Sequence, residues 1–341
     1  MKRIGLALLG AVVAAGLLAP VLSPHSGTQE FRGFLFAPPM RPHIVGDDGA
    51  WHWPFVHPLR LVSRLEQRYE EDRTRRVPLV FLSGGVLVAA SDETMGPWLP
   101  LGADSYGRDI LARLLYGART SLGVAALALA GCLLIGMIVG GLAGYLGGAV
   151  DEALMRFAEF ILVLPTMYVV LVLRAALPLV LPAWVVFGLM AGIFALVGWP
   201  TVARGVRAIV AAERQREYAV AAVSLGAGHA RLLVRHLLPA SAGFVGTQAT
   251  LLLPAFILAE ATLSYVGLGF PEPIPSWGSM LQEGAKVTNL ADFPWTLAPA
   301  AAIFLVVFAL NLVVQGSGAS SVSTAGARFD KGSGQGIGSG V

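Results

Sequence analysis

Two charged side chains, Arg174 and Glu260, lie inside the long apolar stretches of this 341-residue chain. A charge at the centre of a bilayer costs at least about 2.5 kcal/mol, so such a residue needs a polar partner or a functional reason. Both residues lie late in stretches that run outward, where a long side chain can reach the polar boundary. They predict a structural ion pair, with a place on a solute pathway as the alternative.

The sequence contains no pattern typical of catalysis. No nucleophile is spaced to meet a base, no GxxxxGK[ST] phosphate loop is present, and the apolar stretches lack the residue sets of intramembrane proteases. Cys132 is the single cysteine, which excludes an internal disulfide and any Cys/His metal spacing. We expect no enzyme, no metal and no cofactor in this chain, and its net charge of +3 does not favour nucleic-acid binding.

A row of glycines follows a four-residue spacing: Gly136, Gly140, Gly144 and Gly148. Four residues advance a helix by slightly more than one turn, so these glycines form a bare strip along one face. Such a strip lets another helix approach backbone to backbone. It predicts tight packing within one bundle, with a sliding or rocking contact as the alternative.

The most informative polar segment covers residues 205–239 and includes REYAVAAVSLGAGHARLLVRHLLP. Its first part favours a helix with small side chains on one face. Gly226 and Gly228 can take left-handed backbone angles that end this helix, and Pro239 closes a second short helix. We expect two short helices joined by a sharp turn, open to a partner and rimmed by arginines. The alternative is a loop whose arginines only fix topology.

Composition indicates an integral membrane protein. The chain is 55% hydrophobic and 13% charged, with a mean hydropathy of +0.69, whereas soluble domains carry about 25% charged residues. A helix needs about 20 apolar residues to cross a membrane. Six stretches qualify: residues 4–22, 120–150, 160–181, 183–203, 242–266 and 297–314. The predicted fold is an all-α integral membrane protein with six transmembrane helices.

The first stretch also fits a cleaved signal peptide, because it follows Lys2 and Arg3. Its length exceeds the roughly 7–15 apolar residues of a signal core, which favours a retained helix in residues 1–23. Arginines outnumber glutamates between the fourth and fifth stretches, so the 205–239 segment is predicted to be cytoplasmic. Counting back places the amino terminus inside and residues 24–100 outside.

Residues 24–100 predict a small extracytoplasmic insertion. Leu61, Leu65 and Tyr69 recur at i, i+4 spacing, which is typical of an amphipathic helix over residues 61–76. The stretch VPLVFLSGGVLVAA is too short to cross a membrane and predicts a strand hairpin around Ser-Gly-Gly.

The segments on either side of the spans complete the predicted organisation. Residues 101–122 predict an interfacial helix on the outer leaflet, capped by Asp104 or Ser105. This helix opens a membrane core over residues 101–315. Residues 316–341 are rich in glycine and serine and predict a disordered tail.

Several motifs in one order resemble the dipeptide/oligopeptide branch of ABC importer permeases. Ala221, Ala222, Gly226 and Leu238-Pro239 have the spacing of that family's cytoplasmic EAA loop. The stretches LGADSYGRDILARLLYGARTSL, AGYLGGAVDEALMRFAEFILVLPT and ATLSYVGLGFPEPIPSWGSML are similar to its span-flanking segments. The resemblance covers about residues 101–314.

Two features depart from the family pattern. The usual glutamate of the loop falls at Val220, and Glu217 one turn earlier is the candidate substitute. Residues 24–100 exceed the usual outer linker. The resemblance implies that the following residues contact an ATPase: Glu217, Ala221, Ala222, Gly226, Ala227, Leu238 and Pro239.

The resemblance implies a multi-pass permease of the bacterial inner membrane, moving peptide-like solutes inward by alternating access. Implied partners are cytoplasmic ATPase subunits that bind the ATP, a second homologous permease chain, an extracytoplasmic solute-binding protein and membrane lipid. Two other classes stay open: an ion-coupled secondary transporter, and a membrane anchor for the outer insertion.

Overall fold

The computed structural model describes residues 1–46, 49–176, 178, 181–224, 226 and 228–332. It is mostly helical, and four helical segments are long and apolar enough to cross a membrane. They are α3 (Ile110–Leu146), α6 (Ala183–Arg214), α10 (Ala242–Tyr265) and the segment Pro294–Gln315, most of which belongs to α13 (Ala298–Gly332). A bent pair of helices brings the candidate spans in the described residues to five at most, so the predicted count of six is not reached.

The first predicted span is shorter than expected. Helix α1 (Lys2–Leu17) has 16 residues, and α2 (Ala19–Leu22) follows after Leu18. At about 1.5 Å per residue, α1 covers about 24 Å, less than the roughly 30 Å of a hydrocarbon core. It packs against α13, where Gly5 lies beside Ala309, so it is still part of the helical bundle.

The predicted span at residues 160–181 is instead part of a bent pair. Helix α4 (Gly148–Val163) begins 12 residues earlier than predicted, and α5 (Thr166–Ala175) follows it. The two parts meet at 87°. Pro165 explains the break, because a proline disfavours helical backbone at the residue before it, and Leu164 is extended. Residues 177, 179 and 180 of the predicted span lie outside the described residues.

Helices α3 and α6 form the centre of the bundle and pack along much of their length. Their facing side chains are small or apolar and fully buried, including Ala128, Cys132, Val202 and Val206. Helices α10 and α13 add Ile257 and Val306 to the same cluster. The apolar stretches therefore share one core.

The outer insertion is a β structure. Strands β1 (His43–Val45), β2 (Trp51–Val56), β5 (Val77–Ser83) and β6 (Val86–Ala90) form an antiparallel sheet in the order β1-β2-β5-β6. The predicted hairpin around Ser-Gly-Gly is its β5–β6 pair, in which Ser83 lies opposite Val86. The sheet packs one face on a small core that includes Val56, Val77 and Leu99.

The predicted amphipathic helix at residues 61–76 is wrong. These residues contribute to a second hairpin, in which β3 (Leu59–Ser63) pairs with β4 (Arg68–Glu71). Leu61 faces Tyr69 across the two strands. The apolar spacing that suggested a helix is satisfied by cross-strand pairing, since tertiary pairing overrides a weak local periodicity.

No separate interfacial helix exists in residues 101–122, all of which the structure describes. Residues 101–109 form a loop closed by a bridge between Ala103 and Asp109, and α3 then runs on without a break. The cap of α3 is Asp109, whose carboxylate accepts a 2.8 Å hydrogen bond from the Leu111 amide, and not Asp104 or Ser105. The short polar loop and the span therefore join in one helix.

Helix α13 extends to Gly332, into the segment predicted to be a disordered tail. Extending an existing helix is easier than nucleating a new one, because each added residue gains a hydrogen bond for one residue fixed. Residues 333–341 of the predicted tail lie outside the described residues.

Candidate functional site

Three short helices connect α6 to α10 at the end of the bundle predicted to be cytoplasmic. They are α7 (Glu217–Ser224), α8 (His229–Leu232) and α9 (Leu238–Ala240). Gly226 ends α7 with a left-handed backbone (φ 84°), which a residue with a side chain rarely adopts. Gly228 differs from its prediction, because its φ of −66° is ordinary and it serves as the cap of α8. Ala227 lies outside the described residues.

Helix α7 shows most of its surface to solvent. Glu217, Val220 and Ala221 are exposed and Ala222 is half-buried. Ala219 is buried and belongs to the central core cluster. One small side chain thus anchors the helix, while its other faces remain open.

The predicted stop at Pro239 is also corrected, because helical structure continues past it. Leu233–Leu237 form a turn of π-helix, and Pro239 is the second residue of α9. A proline has no amide hydrogen to donate within a helix, and a π turn just before it is one way to absorb that loss. Leu238 packs against α3, where a Cβ added at Gly141 would lie 3.0 Å from its side chain.

A polar cluster joins three helices at this end of the bundle. The Tyr145 hydroxyl, near the end of α3, bonds the Nδ1 of His229 on α8. Arg214, at the end of α6, donates to the Tyr145 carbonyl oxygen at 2.5 Å and lies over the Tyr145 ring. Sequence reasoning missed this cluster, because its members are separated by at least 15 positions and no motif links them.

A second polar contact joins α4 to α6. Arg207 donates to both carboxylate oxygens of Asp151, at 2.9 Å from Nε to Oδ1 and 2.5 Å from Nη2 to Oδ2. This bidentate geometry fixes direction as well as distance. The inner ends of α3, α4, α6 and α8 are therefore tied together around the short helices.

The glycine row lies on the α3–α6 contact over three of its four members. A Cβ at Gly136 would come within 2.6 Å of Val202, one at Gly140 would meet the Ala203 backbone, and one at Gly144 would lie 2.5 Å from the Arg207 carbonyl oxygen. Gly148 has open space around it and a φ of 56°, so it belongs to the turn between α3 and α4. The strip is a close backbone contact of three glycines.

Arg174 and Glu260 do not pair with each other in the described part of the chain. The Arg174 guanidinium reaches the carbonyl oxygens of Pro178 and Gly269, each at 3.5 Å. Glu260 is fully buried and accepts a 2.7 Å hydrogen bond from Ser264. Each group therefore has its own polar contacts, and a role on a solute pathway stays a prediction.

Five charged groups form a network at the outer end of the bundle. Arg108 lies 2.7 Å from Asp104, 2.5 Å from Glu272 and 3.6 Å from Glu283, and Arg113 lies 3.4 Å from Asp104. Both arginines are almost fully buried. The network joins the 101–109 loop and the start of α3 to α11 (Trp277–Gly284).

The two glutamates of this network have opposite pKa shifts. Burial alone would raise the pKa of Glu272, but the charges of Arg113 and Arg108 outweigh it and hold that pKa below its usual range. Burial, followed by the nearby Asp104 charge, raises the pKa of Glu283. The sequence gave no signal for either, because the partners lie about 160 positions apart.

Comparisons with known proteins match the membrane core. Residues 133–319, more than half of the chain, match the family described as binding-protein-dependent transport system inner membrane component. The oligopeptide transport system permease protein OppC of Bacillus subtilis (strain 168) is 38% identical over 218 residues, 63% of this chain and 68% of the relative. The dipeptide transport system permease protein DppC of the same organism is 39% identical over 216 residues, 63% of this chain and 65% of the relative.

A third relative extends the match. The oligopeptide transport system permease protein OppC of Lactococcus lactis subsp. cremoris (strain SK11) is 30% identical over 268 residues, 73% of this chain and 90% of the relative.

Proposed function

The chain belongs to the family of binding-protein-dependent transport system inner membrane components, and on that basis we propose that it is the permease subunit of an ATP-driven importer of peptides. It is a multi-pass protein of the inner membrane. The relatives named for oligopeptide and dipeptide transport support a peptide or peptide-like cargo.

The observation that carries this proposal is the open surface of α7. The helix is anchored by Ala219 and leaves Val220, Ala221 and Val223 exposed. Exposed small and apolar side chains let a partner helix or cleft approach closely, and arginines nearby supply a polar rim. A cytoplasmic ATPase subunit is the partner that this surface fits in an importer.

A load applied to α7 has a short route into the spans. The Tyr145 contacts with His229 and Arg214 link the short helices to the ends of α3 and α6. The Arg207–Asp151 pair carries the same displacement to α4. Since α3 and α6 touch along a glycine strip, they move together as one unit while the other helices rock against them.

The remaining parts of the machine lie outside this chain. Two ATPase subunits bind and hydrolyse ATP, a second homologous permease chain completes the pathway, and an extracytoplasmic solute-binding protein delivers the peptide. This chain has the role of translocation, and it supplies neither the catalytic groups nor the nucleotide site.

Gly226 offers the sharpest test. Replacing it with leucine opposes its left-handed backbone and reorients α7, although no atom lies within 4 Å of the added Cβ. Gly49 is the matched control, since it also has a positive φ (72°) and open surroundings but lies in the outer insertion. Each variant is reconstituted with its ATPase partners, and membrane insertion, partner retention and peptide uptake are measured.

We expect Gly226→Leu to insert normally while ATPase-driven uptake falls by more than tenfold, and Gly49→Leu to transport normally. Unchanged uptake by Gly226→Leu would contradict the proposal. Uptake that persists without any ATPase and follows an ion gradient would replace it with secondary transport.

A further inference from the structure

The sheet of the outer insertion carries an apolar surface that the proposed permease function does not use. Trp51 and Trp53 on β2 are 79% and 65% exposed, and Leu82 at the tip of the β5–β6 hairpin is 77% exposed. Phe81 and Leu87 beside them are exposed as well. We name these five residues the tryptophan patch.

The patch does not belong to the core of the insertion. That core already takes Val56, Val77 and Leu79 from the same strands. An antiparallel sheet with one buried face normally shows polar side chains on the other. A contiguous apolar surface instead marks contact with a protein or with a membrane.

The tryptophan patch is prepared for apolar surroundings. The Trp53 indole Nε1 donates a 2.7 Å hydrogen bond to the Leu79 carbonyl oxygen, and its ring meets Phe81 edge-on at 5.7 Å between centroids. An indole whose N–H is already bonded can leave water without stranding a donor. The ring is therefore fixed in place and its polar atom is satisfied within the protein.

The position of the sheet places the patch at the level of the membrane surface. Strand β6 packs against α2, which follows directly after α1. Near the end of α1, Gly16 lies beside Ala118 in α3, so α2 is level with the first turns of that span. Leu17, Leu18 and Val21 are exposed on this side, and they continue the apolar surface of α1 toward the sheet.

We propose that the tryptophan patch docks on the outer leaflet of the bilayer that surrounds the chain. Tryptophan is enriched at membrane interfaces, where the apolar body of the ring sits beside the headgroups. A partner that comes and goes would leave this surface in water between visits, whereas the bilayer is always adjacent to α1 and α2. Docking holds the insertion beside the outer mouth of the bundle, and it does not depend on the identity of the solute.

Spin-label depth measurements test this proposal on the full chain in nanodiscs. A nitroxide is attached to Leu82→Cys, and the matched control is Leu65→Cys, since Leu65 is 100% exposed at the tip of the other hairpin. Cys132, the natural cysteine, is fully buried. Collision rates with oxygen, which concentrates in lipid, are compared with those of a water-soluble nickel complex.

The label at Leu82 is expected to meet oxygen freely and to be protected several-fold from the nickel complex, relative to the label at Leu65. Equal access of the nickel complex to both labels would overturn the proposal. Protection that appears only after a solute-binding protein or a second permease chain is added would also overturn it, in favour of protein docking. If Leu82→Cys is not recovered, Leu87→Cys on the facing strand takes its place.

Discussion

The two ends of the bundle are built in opposite ways. At the outer end, Arg108 and Arg113 are buried among three carboxylates, and the network holds the loop before α3 against α11. At the inner end, α7 is held by Ala219 and leaves Val220 and Val223 open to solvent. One end is satisfied within the chain, and the other leaves apolar surface uncovered.

This difference indicates where outside partners supply energy. Buried charges that already have partners gain little from a new contact and lose much when one is removed. An exposed apolar helix loses little when altered, but it offers area to bury against another protein. The outer end therefore sets the stability of the chain, and the inner end sets its coupling.

The largest loss of stability is expected for Arg108→Ala. Removal of this guanidinium leaves Asp104 and Glu283 buried without their main counter-charge, which costs about 3–5 kcal/mol. Thermal unfolding in detergent measures the loss. Arg119→Ala is the control, because Arg119 is exposed and outside the network, and its effect is expected to stay within about 0.5 kcal/mol. Equal effects for both variants would contradict a stabilising network.

A smaller loss is expected at the α3–α6 contact, which links the two ends. Gly140→Ala sets a methyl group against the Ala203 backbone, where no flexible side chain can move aside, and costs about 1–3 kcal/mol. Gly192→Ala in α6 is the matched control, because it has open space and gains helix propensity. The same thermal assay separates them, and a harmless Gly140→Ala would show that the helices are not in close contact.

Sequence patterns predicted the parts of the fold that depend on local composition. The stretch 120–150 falls almost wholly within α3, and the predicted stretch 242–266 coincides with α10 to within one residue. The turn at Gly226 was predictable as well, since a glycine between two helical patterns favours left-handed backbone. These features need only the hydrophobicity of a window or one special residue.

Features that depend on distant partners could not be predicted in this way. Leu61, Leu65 and Tyr69 suit a helix by spacing, but strand pairing decides their structure. Opposite charges at Arg174 and Glu260 say nothing of how two helices are rotated, and each residue found other partners. Local spacing carries no information on tertiary rotation or register.

A more modest effect is expected from pH, and it sharpens the account of the outer network. The folded pKa of Glu272 lies below its unfolded value of about 4.3, so its contribution to stability is present above that pH and is lost as pH falls through the folded pKa. The folded pKa of Glu283 is raised, so its contribution is present at acid pH and is lost as pH rises through the raised pKa.

Thermal unfolding as a function of pH distinguishes the two glutamates. Glu272→Gln is expected to lessen the loss of stability on the acid side, and Glu283→Gln to lessen the loss that sets in as pH rises. Because Glu272 is half-exposed, solvent screening keeps its effect well below that of Arg108→Ala. Identical pH profiles for both variants would contradict the opposite shifts.

The smallest change in stability is expected on α7, where a double replacement, Val220→Ser with Val223→Ser, removes apolar surface that nothing in the chain covers. Both side chains are exposed, and serine and valine have similar helix propensities, so the free energy of unfolding is expected to change by less than about 0.5 kcal/mol. Retention of the ATPase subunits during purification is nevertheless expected to fall. Val287→Ser, on an exposed outer helix, is the control that retains them. A double variant that loses stability but keeps its ATPase would mean that α7 packs within its own chain, and the contrast between the two ends would fail.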